Sequence, residues 1–270
     1  MTNYEQTPWL RLLLFMLAMF LIILMSPVVA VLFADNENLF ALAATLVFFL
    51  TFIFMYAVTW VFVRWDGGDS VSELGLDVDN KFGRHIIIGA IAGTLGATLV
   101  VAIAFFLGGQ LRPIDQITFD LIVNEIIITA PTAFFEELTH RGYILTRMEN
   151  LVGQRVAIFL SSIFFSLLHF SWWARPGFPI HLAVLFTFNI FLGGVILSFS
   201  YYWSGRRLWV PIAFHFMWNM LAYIMFPTFP REAVVQPEIY QIEWGVTTII
   251  GFLFGLFILW SFLATEENRE

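Results

Sequence analysis

Phe134-Phe135-Glu136-Glu137-Leu138-Thr139-His140-Arg141-Gly142-Tyr143 closes an apolar run that starts near residue 118. Two adjacent carboxylates in such a run are costly to place in hydrocarbon, and an intramembrane acid is a functional hypothesis by default. On a helix Glu137 and Arg141 stand at i,i+4 with the acid N-terminal, the favourable order for an ion pair. Glu136 points about 100° away from Glu137, so the two acids are free to do different work.

The rest of the chain sets that decapeptide in a bilayer. The sequence is 60% hydrophobic and 12% charged over 270 residues, where soluble domains average about 25% charged. The apolar content is spread throughout, which predicts one all-α polytopic membrane domain over 1–270. Runs of roughly bilayer-spanning length, about 20 residues, fall at about 10–33, 40–63, 86–108, 118–138, 156–172, 180–203, 208–226 and 244–264, predicting eight transmembrane helices. The leading MTNYEQTPW has an acid and no basic residue before Arg11. The run after it exceeds a signal-peptide core, so a retained first helix is expected. Pro27 and Pro131 fall inside runs and predict local kinks. Gly89/Gly93 and Gly251/Gly255 have the small-xxx-small spacing of close helix packing. Trp9, Trp60, Trp65, Trp172, Trp173, Trp203, Trp209, Trp244 and Trp260 near run ends read as interfacial anchors.

With a cytoplasmic N-terminus, Arg11, Arg64, Lys81, Arg84, Arg141, Arg147, Arg155, Arg206, Arg207 and Arg269 fall inside, while Arg112, Arg175 and Arg231 fall outside. That excess of cytoplasmic basic residues places both termini in the cytoplasm. The net charge of −7 offers no basic surface for nucleic acid. Without cysteine there are no disulfides, thiolate nucleophiles or Cys-ligated metals. The acidic segment at about 65–85 shows no metal or phosphate pattern and is expected to be a solvated connection.

Four more polar residues fall in apolar runs: His169, at i,i+4 from Phe165, and His215 with Asn219, also at i,i+4. A lone one of these would read as a packing residue bonded to a carbonyl. Depth along the helices changes that. At ~1.5 Å per residue, Glu136 lies ~16 Å from the level of Arg147, His169 ~21 Å from Arg155 and His215 ~12 Å from Arg207. An acid, two imidazoles and an amide therefore converge near mid-membrane. A carboxylate in a low-dielectric pocket can act as general base toward water. An imidazole can hold that water, and an imidazole with an amide can stabilise an oxyanion. No Ser or Cys nucleophile accompanies them, so the set suits hydrolysis of an amide by water.

Glu136-Glu137-x-x-x-Arg141, Phe165-x-x-x-His169 and His215-x-x-x-Asn219, on three helices in this order, resemble the CPBP intramembrane proteases (CAAX proteases and bacteriocin-processing enzymes, the Abi family). Leu74-Gly75-Leu76 and Gly205-Arg206-Arg207-Leu208-Trp209 are similar to the family as well, and the resemblance covers about 70–225. It implies an intramembrane endopeptidase in which Glu136 activates water with help from His169. His215 and Asn219 then form the oxyanion site, and Glu137 and Arg141 hold the first motif in shape. It implies a membrane-associated peptide or protein substrate and, by analogy, a prokaryotic plasma membrane. His140 departs from the aromatic that the family more often carries; bonding to Glu136 and an interfacial position are both open to it, and the interfacial one is expected. Glu125 and His181 are expected to be structural or interfacial. Two alternatives remain. Glu136, His169 and His215 are a two-His, one-carboxylate set able to bind catalytic zinc, although no HExxH is present and no cofactor is required by the first reading. A non-catalytic scaffold or a transport-related protein is the other, with no internal repeat to favour transport.

Overall fold

A computed structural model describes residues 8–33, 35–174 and 176–267, with side chains through residue 264. Residues 1–7, Arg175 of the outer basic set and 268–270 of the polar tail lie outside the described residues. The described chain is helical, with no strand. Its helices are α1 (Pro8–Leu32), α2 (Glu37–Trp65), α3 (Phe82–Leu107), α4 (Phe119–Glu137), α5 (Thr146–Val152), α6 (Gln154–Leu168), α7 (Ile180–Trp203), α8 (Trp209–Met225), the single turn α9 (Pro237–Tyr240) and α10 (Thr247–Glu267). A π-helical stretch, Leu138–Leu145, joins α4 to α5, and a 3₁₀ turn, His169–Trp172, extends α6.

Each of the eight apolar runs is a helix. Six of them (α1, α2, α3, α6 with its 3₁₀ extension, α7 and α10) are long and apolar enough to cross a membrane. The other two are α8, apolar but 17 residues long, and α4, which carries Asp120, Glu125, Glu136 and Glu137. These are the helices that hold most of the polar residues singled out above, so chemistry has displaced hydropathy there. Outward faces are apolar: Leu13, Leu17 and Leu21 of α1, Leu46 and Ile53 of α2, and Leu253 and Phe257 of α10 are all exposed. A surface of this kind is matched to lipid rather than to water.

Small residues set the packing at the centre. α3 lies against α8 on one side and α10 on the other. A Cβ on Gly89 would collide with the carbonyl of Val210, and one on Gly93 with the carbonyl of Phe214. Gly96 and Gly251 face each other so closely that a Cβ on either would stand 2.8 or 2.7 Å from the other's carbonyl oxygen. The two glycine pairs therefore do what their spacing predicts. Pro27 and Pro131 both sit inside continuous helices; the hydroxyls of Thr129 and Thr132 beside Pro131 donate back to the carbonyls of Glu125 and Ile128.

Two expectations are corrected. The 65–85 segment is exposed along much of its length, as expected, but it is docked rather than a free connection. Val71 and Leu74 are buried in the core built around α1, α2 and the π-helical stretch. The Leu208 amide donates to the Gly75 carbonyl at 2.9 Å, Arg207 pairs with Asp77 and Asp79, and the Trp209 indole N–H bonds the Asp77 carbonyl. The two family-like segments, 74–76 and 205–209, are thus one another's partners. Acidic composition hid this because Asp66, Asp77 and Asp79 pair with arginines of other segments. Trp244 is not an anchor either: it is 2% exposed and stacks on Phe186 at 4.1 Å. Trp9, Trp60, Trp65 and Trp260 are half exposed, as anchors should be.

Candidate active site

The site begins with a change of helical pitch. α4 passes at Leu138 into a π-helical stretch of eight residues, whose wider turn rotates the side chains that follow; such insertions recur at functional sites. Across its start Glu137, the last residue of α4, meets Arg141, with Nη1 donating to Oε1 at 2.9 Å. Both are sealed off, at 0% and 2% side-chain exposure. The other end of the guanidinium donates to the Gly194 carbonyl of α7 at 3.2 Å, and its plane lies over the Phe165 ring, 4.3 Å from the centroid.

In front of that pair stand the groups that face a cavity of about 790 Å³, lined among others by Glu136, His169, His215 and Asn219. The convergence predicted from depth is therefore met. Glu136 Oε2 lies 4.0 Å from His169 Nε2 and 3.9 Å from His215 Nε2, so both imidazoles flank the acid equally. Asn219, one turn past His215 on α8, is 5% exposed.

Hydrogen bonds fix how the rings present themselves. His169 Nδ1 is 2.8 Å from the Phe165 carbonyl, and a carbonyl only accepts, so Nδ1 carries the proton. His215 Nδ1 is 2.9 Å from Glu137 Oε1 and donates in the same way. Each ring thus turns Nε2 toward Glu136, whose Oε2 has no protein partner. In their neutral forms these are three acceptors around one point, an arrangement that calls for a proton donor or a cation between them. A water bonded at about 2.8 Å spans separations near 4 Å. Tetrahedral zinc with bonds of about 2.0–2.1 Å needs donor atoms roughly 3.3 Å apart. Among the described residues no group of three or more His, Asp or Glu is set to hold a metal ion. The donor set has the right chemistry for zinc and is spaced too widely for it.

The Glu137–His215 bond was not legible from the motifs, which gave Glu137 only Arg141. The structure makes Glu137 the partner of both, so Arg141, Glu137 and His215 form one buried chain. Phe165 is the other surprise. Its ring centroid is 4.8 Å from His140, 4.8 Å from His169 and 6.3 Å from His215, so one phenyl packs against three imidazoles and the Arg141 guanidinium.

His140 is corrected. It is not interfacial but 2% exposed, and its Nδ1 bonds the Glu136 backbone carbonyl at 2.9 Å, tying the π-helical stretch to the start of its own turn. Glu125 belongs to the cavity wall, whereas His181 is exposed and apart from it. Sequence reasoning missed Glu243, which also lines the cavity; it is a single acid in a loop, with no spacing or run to mark it.

Residues 118–221 match the family model of Rce1-like proteins, described as type II CAAX prenyl endopeptidase Rce1-like. The match places that stretch in the CAAX protease family that the motifs resemble, and it holds all three of them. No curated protein matches the chain.

Proposed function

We propose that this chain, an integral membrane protein whose segment 118–221 is that of a protease family, is an intramembrane endopeptidase that hydrolyses a peptide bond of a membrane-associated peptide or protein with a glutamate-activated water. One observation carries the reading: an unpartnered carboxylate oxygen held 3.9–4.0 Å from two inward-turned imidazole nitrogens at the wall of a cavity inside a bilayer-type bundle. Water placed there is oriented by the His169 Nε2 lone pair and gives a proton to Glu136. The oxygen attacks the scissile carbonyl, and the oxyanion takes hydrogen bonds from Asn219 Nδ2 and His215 Nε2. To donate from Nε2 while Nδ1 bonds Glu137, His215 must be an imidazolium, for which Glu137 is the counter-charge. Glu136 then returns its proton to the leaving amine, and the products are an acid and an amine.

Glu137 and Arg141 never touch the substrate in this scheme; they hold the first motif and the orientation of His215. The whole of 1–270 serves as one transmembrane domain around a core at 70–225. Both termini are cytoplasmic, supported by the paired basic groups Arg11, Arg147, Arg206 and Arg207 at the ends of α1, α5 and α7, and a prokaryotic plasma membrane is the setting by family analogy. No cofactor is required and nucleic acid is not a partner. A zinc-dependent form would use Glu136, His169 and His215, after closure of their separations by about 0.6 Å.

Purified protein offered a membrane peptide library tests this. Wild type is expected to cleave with or without chelator, and Glu136→Gln to lose about 10²–10⁴-fold in rate. Equal cleavage by the variant overturns the role of Glu136. Cleavage abolished by chelator and restored by zinc replaces the water mechanism with the metal one, and a folded wild type that cleaves nothing favours a scaffold.

A further inference from the structure

The cavity wall holds a carboxylate that the mechanism above does not use. Glu243 lies in the turn between α9 and α10, outside the segment matched to the protease family, and shares the wall with Glu136, His169, His215 and Asn219. Its φ is +67°, a left-handed conformation that L side chains other than Asn and Asp rarely take. A turn that only had to join two helices would be satisfied by glycine at that position.

The conformation is enforced from two helices. Asn189 of α7, fully buried, donates through Nδ2 to the carbonyls of Glu243 at 2.9 Å and Gly245 at 3.0 Å. The Glu243 amide donates to Thr248 Oγ1 of α10 at 2.8 Å, and Thr248 is also fully buried. The neighbouring Trp244 is locked between Phe186 and Phe229. The backbone of Glu243 is thus clamped while its side chain faces the cavity, where burial pushes its carboxyl up to about 7 and the charges of His215 and Glu136 also reach it. Among the described residues it has no Lys or Arg partner, and Arg231, the arginine of this wall, is exposed and lies over the Trp172 ring. An acid fixed at a low-dielectric wall without a Lys or Arg in contact gains from a cation brought against it, which favours the charged form that burial disfavours.

We propose that Glu243 is a specificity-determining residue that receives a cationic side chain, Lys or Arg, of the substrate segment lying in the cavity. The assignment rests on the endopeptidase reading for the identity of the ligand as a peptide. Glu125 in the same wall adds to the preference for positive over negative substrate groups.

The test uses the full-length protein and paired peptides, identical except for Lys or its neutral near-isostere norleucine, with the substitution stepped through every register of a sequence that the library yields. At one register wild type is expected to prefer Lys about tenfold in kcat/KM, and Glu243→Gln to bring that ratio to about one. Glu243→Lys should favour a Glu-bearing peptide at that register. A merely structural role would change the rates of both peptides together and leave the ratio untouched, which overturns the proposal, as does a wild type indifferent to Lys at every register. Binding of fluorescent forms of the same peptides to Glu136→Gln gives the ratio without cleavage. Lysine preference in binding with no wild-type cleavage sinks the peptidase reading and keeps Glu243; cleavage without the preference does the reverse.

Discussion

Glu136 and Glu137 are neighbours in sequence and opposites in circumstance. One is 20% exposed at a cavity wall, the other fully buried between an arginine and a histidine. Their substitutions should separate accordingly. Glu136→Gln is expected to leave folding intact, because the oxygen it alters has no protein partner. Glu137→Ala leaves the Arg141 guanidinium without its carboxylate and His215 without its acceptor, and should cost about 3–5 kcal/mol of stability, as the breaking of a buried pair does. Thermal unfolding in detergent checks this: equal melting temperatures for wild type and Glu137→Ala would contradict the buried chain. The four residues around the cavity were legible because each motif is a polar exception in an apolar run, and exceptions are conspicuous. What the spacing could not convey was which acid met which imidazole. That depends on how α4, α6 and α8 are rotated against one another, which the period within any one helix does not report.

At the scale of elements, α8 carries two of the four cavity groups, and its position is set by backbone contact with α3. Gly93 tests that contact nearest the site, since a methyl there meets the carbonyl and Cα of Phe214, one residue before His215. Gly93→Ala should push α3 away from α8 at a cost of about 1–3 kcal/mol and misplace His215 as it does so. Activity is therefore expected to fall further than stability alone explains, which a comparison of melting temperature with kcat measures. Gly83→Ala is the control, since a Cβ there meets open space. The far end of α8 is held as firmly: Arg112 spans the carbonyls of Tyr223, Ile224 and Phe226, satisfying acceptors that a helix end leaves bare. Helix positions were readable from hydropathy nearly throughout. The docked 65–85 segment was not, because its docking comes from an ion pair and an indole hydrogen bond with residues more than a hundred positions away, and no local pattern reports those.

Across the whole molecule, one end is drawn together by Asp66. Just past α2, it accepts from Arg11 of α1 at 3.0 Å, from Arg147 of α5 at 2.6 Å, and from Tyr143 at 2.9 Å. Burial pushes its carboxyl up, but the hydrogen bonds from Arg147, Tyr143 and Arg11 outweigh that and hold it below the ordinary aspartate value. A carboxyl depressed in the folded state contributes stability that is complete above its unfolded value, about 3.9, and is lost as pH falls through the folded one. Wild type should therefore lose stability on acidification below about pH 4 more steeply than Asp66→Asn, which should already be destabilised at neutral pH. Parallel melting curves across that range would show that the clamp carries no linkage.

The clamp and the site also differ in what can reach them. Counter-ions approach pairs at the rim, such as Arg64–Asp69, where the side chains are 50% and 92% exposed. They do not approach Arg141–Glu137, at 2% and 0%. At about 1 M salt the screening length shrinks to roughly 3 Å, so ionic strength becomes a selective reagent. It weakens the electrostatic ties at the rim while the charges behind Glu136 keep their full interaction. Buffers that solubilise the protein at high salt therefore need not disturb its interior chemistry.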